Sequence, residues 1–380
     1  MSSTRPLSGL VVVEIGHSIA APYAGMILGE LGAEVIKIEN PKGGDAARGW
    51  GPPFAEGAAT CFHAVNRSKK GITIDLADPA EAAKLRRLVL ERADVLLNNL
   101  KFGALDRYGL SAAALTQEKP ALVYCNIGAF GAVGPLRERP GYDPLMQAYG
   151  GLMSMLGEDG RPPVRVAVSI IDLATGMWAA IGVLAALEER RRTGRGGVID
   201  TSLYETALGW MTIPIAAYLA NGELPARFGS GVEMIVPYQA FAAADGHIMV
   251  AAGNDNLFRR LADAVGRPSL AEDPRFRTNK DRVVNRPALI AILEDVFKAE
   301  PSRVWAARLD AAGIPNGPIQ TVDQVVKDAQ TAALAIIQRR PQNPLSLVGL
   351  PLSFDGVRPP FDKAAPELGE DNRAVFAAGQ

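Results

Sequence analysis

Short apolar runs alternate with helical stretches through the first third of the chain, and this alternation constrains the fold most. Leu10 to Ile15 is a near-continuous apolar run, the pattern of a strand buried on both faces. A helical stretch from Pro22 to Leu31 follows, with Gly32 placed to end it. Glu34 to Ile38 supplies the next strand and completes a βαβ unit. Ile72 to Ile74 reads as another strand. Asp78-Pro79-Ala80-Glu81 then offers a cap, a first-turn proline and an acid at the third position, which together mark a helix start. That helix runs to about Arg92, and strands follow at Asp94 to Leu97 and Ala121 to Ile127. Strands and helices in this order predict an α/β class: a Rossmann-like large domain whose parallel sheet is covered on both faces.

The character changes after Trp210. Asn221-Gly222-Glu223-Leu224-Pro225 and Gly229-Ser230-Gly231 read as a linker and a glycine-bearing loop. A smaller α+β domain follows, with strands at Tyr238 to Ala242 and His247 to Ala252 and helices near Leu257 to Val265 and Pro287 to Lys298. From about Gln320 the chain gives a helix and then proline-rich irregular segments. A length of 380 residues suits two or three domains. The expected organisation is a large domain over 1–220, a small domain with linkers over 221–325, and a closing segment over 326–380.

Several function classes are excluded at this level. A formal net charge of −1 argues against nucleic acid or an anionic membrane as the main partner. Two cysteines, Cys61 and Cys125, cannot make a disulfide scaffold and fit a reducing cytoplasm. Met1 to Pro6 lacks the charged-then-apolar layout of a signal peptide. The uncharged run Leu173 to Leu187 is short for a bilayer and reads as a buried helix. The first turn, Gly16-His17-Ser18-Ile19-Ala20-Ala21, is not a dinucleotide fingerprint, and neither a phosphate loop nor a Gly-x-Ser-x-Gly elbow occurs. His17, His63 and His247 lie far apart with no partner at metal-ligand spacing, so no metal site is expected.

Gly141 to Gly176 contains Gly141-Tyr142-Asp143-Pro144 and ends in Ser169-Ile170-Ile171-Asp172-Leu173-Ala174-Thr175-Gly176. A long, uncharged, small-residue helix over Met177 to Leu187 follows at once. Asp172 therefore falls at a helix start, where unpaired backbone N–H groups favour an anion. The setting suits an ordinary N-cap aspartate. It equally suits a nucleophilic carboxylate that stays ionised while largely desolvated.

Other segments succeed one another in a specific order. They are Leu7-Ser8-Gly9-Leu10, Leu31-Gly32-Ala33-Glu34, Gly44-Asp45, Arg48-Gly49-Trp50 and Asn66-Arg67-Ser68-Lys69-Lys70, then Gly103-Ala104-Leu105-Asp106-Arg107-Tyr108-Gly109, Arg195-Gly196-Gly197 and Ala365-Pro366-Glu367-Leu368-Gly369. Over nearly the whole chain this order resembles the family III CoA-transferases (CaiB/BaiF-like), the group of formyl-CoA transferase and carnitine CoA-transferase. The resemblance implies that Asp172 is the catalytic residue and that acyl-CoA and a small carboxylic acid are the substrates. It implies coenzyme A as a passing substrate rather than a permanently bound cofactor, and an interlocked homodimer. For CoA contacts it implies His17, Ile19, Ala20, Ile74, Asp75, Asn99, Leu100, Lys101, Arg107, Gly128, Ala129 and Phe130. The phosphates of CoA need several cations, so Arg67, Lys69 and Lys70 are further candidates. Ile19 stands at formyl-CoA transferase's glutamine position and Asn40 at its arginine position, which argues against formyl-CoA/oxalate specificity. Gly229-Ser230-Gly231 falls where the family has a mobile glycine loop.

Two other readings compete. α-Methylacyl-CoA racemases share the implied fold but carry a base in a Gly-His-Asp segment. Gly141-Tyr142-Asp143 puts a tyrosine there, with an ordinary pKa of about 10. A catalytically silent CoA-binding protein would have no need of Asp172 within its full motif.

Overall fold

The computed structural model describes residues 5–339, 345–361 and 363–377. The chain forms two compact units, one of Met1–Leu152, Val166–Thr212 and Ala329–Gln380, the other of Met153–Arg165 and Ile213–Asp328. The large unit is built on six strands: β1 (Val11–Ile15), β2 (Glu34–Glu39), β3 (Lys69–Thr73), β4 (Val95–Asn98), β5 (Val123–Gly128) and β6 (Val198–Ser202). They lie in the order β3-β2-β1-β4-β5-β6, and every neighbouring pair is parallel. The chain moves outward from β1 to β3, then returns to the other side of β1 with β4. Loops leaving the carboxyl ends of β1 and β4 therefore diverge, which opens a crevice at that switch point.

The sequence placed the third strand too late, at Ile72 to Ile74. Lys69 and Lys70 belong to it because ion pairs with Glu14 and Glu34 offset their charges. The edge strand β6 escaped prediction, since Val198 is half exposed and Asp200 and Thr201 interrupt its apolar run. The C-terminal segment closes the opposite edge. Asp371 accepts from the Gly71 amide (2.8 Å) and Asn372 from the Thr73 amide (2.9 Å), so chain from the far end covers the open side of β3.

Four helices position the site: α1 (Ala20–Glu30), α2 (Pro79–Arg92), α3 (Asp143–Tyr149) and α4 (Ile170–Thr193). Asp78 caps α2 as its sequence predicts, accepting from the Ala80 amide. α4 lies against α1. A Cβ on Gly176 would come 2.6 Å from the Ala20 carbonyl oxygen, so glycine is what permits this approach. α4 is long and apolar enough to cross a membrane by length and composition. Its Ile171, Ala174, Ala179, Ala180 and Val183 are buried in the unit, whereas Met177, Trp178 and Ile181 stand about half exposed. The expectation of a helix buried all round is thus met on one face only.

In the small unit, β7 (Tyr238–Ala243) and β8 (Gly246–Ala251) form an antiparallel hairpin, and β9 (Asn316–Pro318) pairs with β8. Phe241, Ile248, Phe258, Leu293, Phe297 and Trp305 form its core. Met153–Arg165, expected in the large domain, belongs here because Arg227 donates to the Ser154 and Arg161 carbonyls and Glu158 bridges to Phe228.

Candidate active site

The first βα turn shapes the crevice. Asn99, just beyond β4, accepts from the His17 amide (3.0 Å) and donates to the His17 carbonyl (2.8 Å), so one side chain ties together the two diverging loops. The opening beside this tie is a cavity of about 430 Å³. Among the sequence-predicted residues, His17, Ala20, Asn99, Leu100, Lys101, Arg107, Gly128, Ala129 and Asp172 all line it. A second cavity of about 230 Å³ is lined by Ile74 and Asn40 and shares His17, Leu76 and Leu100 with the first.

Three predicted contacts lie elsewhere. Ile19 occupies the position before α1 and is buried in the core, because the turn directs His17 outward and its neighbour inward. Asp75 lines neither cavity; it pairs with Lys42 (3.4 Å) and accepts from the Ala77 amide. Phe130 is buried with its ring against Tyr149 and Tyr204 (5.2 and 5.9 Å between centroids). The basic run is also corrected. Arg67 is buried against Glu30 and Lys69 against Glu14 (2.7 Å), while Lys70, partly exposed, meets Glu34 (2.9 Å), so all three cations are engaged by acids and none lines either of the two cavities. Gly229-Ser230-Gly231 lies in the small unit, where the Gly229 amide bonds to the Gly157 carbonyl.

The cations facing the larger cavity are instead Lys101, Arg107, Arg137 and Arg139. The two arginines of the Gly134-Pro135-Leu136-Arg137-Glu138-Arg139 loop are not among the expected contacts. Their signal is present in the sequence: a charged loop directly after a strand expected to end at Ile127, on the side where such sheets bind ligands. Arg139 stacks over the Phe130 ring at 5.6 Å. His17 opens onto the cavity, yet desolvation by the surrounding chain lowers its pKa, with Asp45 opposing and Lys37 reinforcing.

Asp172 stands in the first turn of α4, but it is not the cap. Asp143, fully buried, caps the helix instead. Its Oδ2 accepts from the Ile171 amide (2.7 Å) and the Asp172 amide (3.2 Å). Its Oδ1 accepts from Gln147 (2.6 Å), and Gln147 is fixed to both backbone groups of Val166. Amides expected to hold Asp172 ionised are thus occupied by a second carboxylate. Among the described residues no donor reaches the Asp172 carboxyl group. Burial, with the Asp143 charge adding to it, pushes its pKa up to about 7. Tyr142 is exposed on the cavity wall.

Among the described residues, the switch-point cavity thus brings together four cations and the Asp172 carboxyl group. The chain belongs to CoA-transferase family III, whose family model matches residues 7–372. It is 35% identical over 381 residues to the succinate–glutarate CoA-transferase of Agrobacterium fabrum, covering 98% of this chain and 95% of that one. It is 36% identical over 378 residues to the acetyl-CoA:oxalate CoA-transferase of Acetobacter aceti, covering 98% and 96%. The crystal structure of a CAIB/BAIF family protein from Brucella suis matches with a TM-score of 0.87 at 41% identity, over 99% of both chains. The mixed α/β architecture with its six-stranded parallel sheet is that of these proteins, and the enzyme is a CoA-transferase acting between acyl-CoA and carboxylic acids.

Proposed function

We propose that Asp172 carries the transfer covalently. Its ionised carboxylate attacks the thioester carbonyl carbon of the donor acyl-CoA, the C–S bond breaks, and a mixed anhydride and CoA thiolate result. The thiolate then attacks the Asp172 carbonyl of that anhydride, giving an aspartyl-CoA thioester and releasing the donor acid. The acceptor carboxylate attacks this thioester, the thiolate leaves again, and its return to the acceptor's acyl carbon yields the new acyl-CoA and free Asp172. Each step exchanges one activated acyl group for another, so no ATP is consumed. The observation that carries the reading is the shared cavity: Asp172 lies on the same wall system as His17, Asn99, Lys101 and Arg107. The cations suit the phosphates of CoA, and the raised pKa of an unpaired, half-buried carboxylate suits a group kept reactive.

Small dicarboxylic acids are the proposed acyl and acceptor groups, in keeping with the relative named for succinate and glutarate. The free thiols Cys61 and Cys125 suit a reducing cytoplasm. The half-exposed Met177, Trp178 and Ile181 of α4 form apolar surface that a second copy of the chain would cover. The proposed assembly is therefore the family's interlocked homodimer. Light scattering should give about twice the chain mass down to nanomolar concentration; a folded, active monomer rejects it.

The chemical test is direct. Incubation with succinyl-CoA and hydroxylamine should leave a hydroxamate on Asp172, read by peptide mass spectrometry. Asp172→Ala should lose roughly 10⁴-fold or more in kcat while CoA affinity stays within about tenfold. Adduct on another residue, or an active alanine variant, overturns the assignment.

A further inference from the structure

The floor beneath the His17 turn is a closed cluster of buried charges that the transfer chemistry does not use. Lys37 donates to Glu14 (3.2 Å), to Asp45 (3.0 Å) and to the Gly16 carbonyl (2.7 Å), all three side chains being inaccessible to solvent. Lys69 pairs with the other oxygen of Glu14 (2.7 Å) and donates to Asn66 and to the Pro22 carbonyl. Two acids and two lysines thus balance. Above them, Asp45 Oδ1 accepts from the amides of Ser18 (3.0 Å) and Ala47 (2.9 Å).

The turn needs such support. Ser18 has φ +66°, a left-handed conformation that a non-glycine residue adopts at a cost, and the position before α1 is Ile19, which offers no side-chain cap. Gly16, His17 and Ser18 are held by Lys37, Asn99 and Asp45 in turn, side chains from three separate segments. Buried ion pairs are weak devices for stability, because desolvation consumes most of the Coulomb gain. What they supply here is geometry: Ser18 and Gly16, which they hold, line the larger and the smaller cavity respectively, and His17 between them lines both.

We propose that Asp45 is a positioning residue for acyl-CoA, holding the Gly16–Ser18 turn in its binding conformation through Ser18 and, by way of Lys37, through Gly16. This rests on the reading of the larger cavity as the CoA site. Asp45 itself borders the smaller cavity, but its oxygens are engaged by Ser18, Ala47 and Lys37, so it acts through the turn.

The test uses free CoA as the probe, titrated into the whole enzyme by calorimetry, with kinetics alongside. Asp45→Asn keeps an oxygen for the Ser18 amide but drops the charge that holds Lys37. CoA Kd should rise at least about tenfold, with kcat at saturating acyl-CoA within about threefold and the KM for the carboxylic acid within about twofold. A general folding defect would lower the active fraction and leave the Kd of the remainder unchanged. Kd within about twofold of wild type overturns the proposal. Arg107→Ala separates the two layers: unchanged CoA affinity there rejects the site itself, whereas weakened affinity there with Asp45→Asn unchanged rejects only the positioning role. Should the asparagine variant not fold, hydrogen exchange on the wild type decides. The Ser18 amide should be strongly protected before CoA is added; exchange at the rate of an open loop refutes a preformed turn.

Discussion

Asp45 and Asp172 both belong to the cavity end of the large unit, and the fold treats them in opposite ways. Burial alone would raise the pKa of Asp45, but the Lys37 charge and the amides of Ala47 and Ser18 together overrule it and hold the group below the usual carboxylate range. Asp172 is desolvated as well, yet its neighbour is another acid, and its pKa climbs to about 7. Burial is common to both, so the partner decides the direction. A paired carboxylate becomes a fixed part of the frame, while an unpaired one stays available to react near neutral pH.

The contrast can be broken by removing the like charge. In the proposed mechanism only ionised Asp172 attacks the thioester, so the wild-type kcat/KM should rise with pH through about 7, the value at which the group loses its proton. Asp143→Asn retains an oxygen for the α4 amides but loses the negative charge. The pKa of Asp172 should then fall, and activity should extend to lower pH. Desolvation is the larger cause and persists, so the acid limb should move down by about one unit or less. A limb that stays in place would mean that Asp143 acts only as a helix cap.

How far these features were legible depends on how local their causes are. The β1–α1–β2 unit and the start of α2 could be read because apolar runs, a capping aspartate and a first-turn proline act over a few residues. The start of β3 could not, since the charge of Lys69 is admitted to a buried strand by Glu14, far away in the chain. At the site, most residues implied by the family motif line one cavity, but the direction of each side chain was not legible. His17 and Ala20 face the cavity while Ile19 between them is buried, and Phe130 turns inward to Tyr149. The Asp143 cap joins residues 28 apart, and nothing near Asp172 in sequence announces it. The N-terminal helix position was therefore read correctly and its electrostatic consequence was not.

A smaller effect should appear in stability, and its sign follows from the same shift. The folded chain holds the Asp172 proton up to about pH 7, whereas the unfolded chain releases it near the ordinary aspartate value of about 4. Between those values the native state binds more protons, so this group's contribution to stability declines as pH rises, and above about 7 the full cost of a desolvated, unpaired charge is present. Asp172→Asn replaces the carboxyl group with a neutral one of the same shape. At about pH 8 the variant should melt about 2–4 °C above wild type, the gain should shrink steadily below about pH 7, and near about pH 4 the two should coincide. Thermal unfolding across that range makes the comparison. Equal melting at the alkaline end would mean that a donor outside the described chain, such as one from a partner subunit, already neutralises Asp172, and the contrast with Asp45 would then belong to the isolated chain alone.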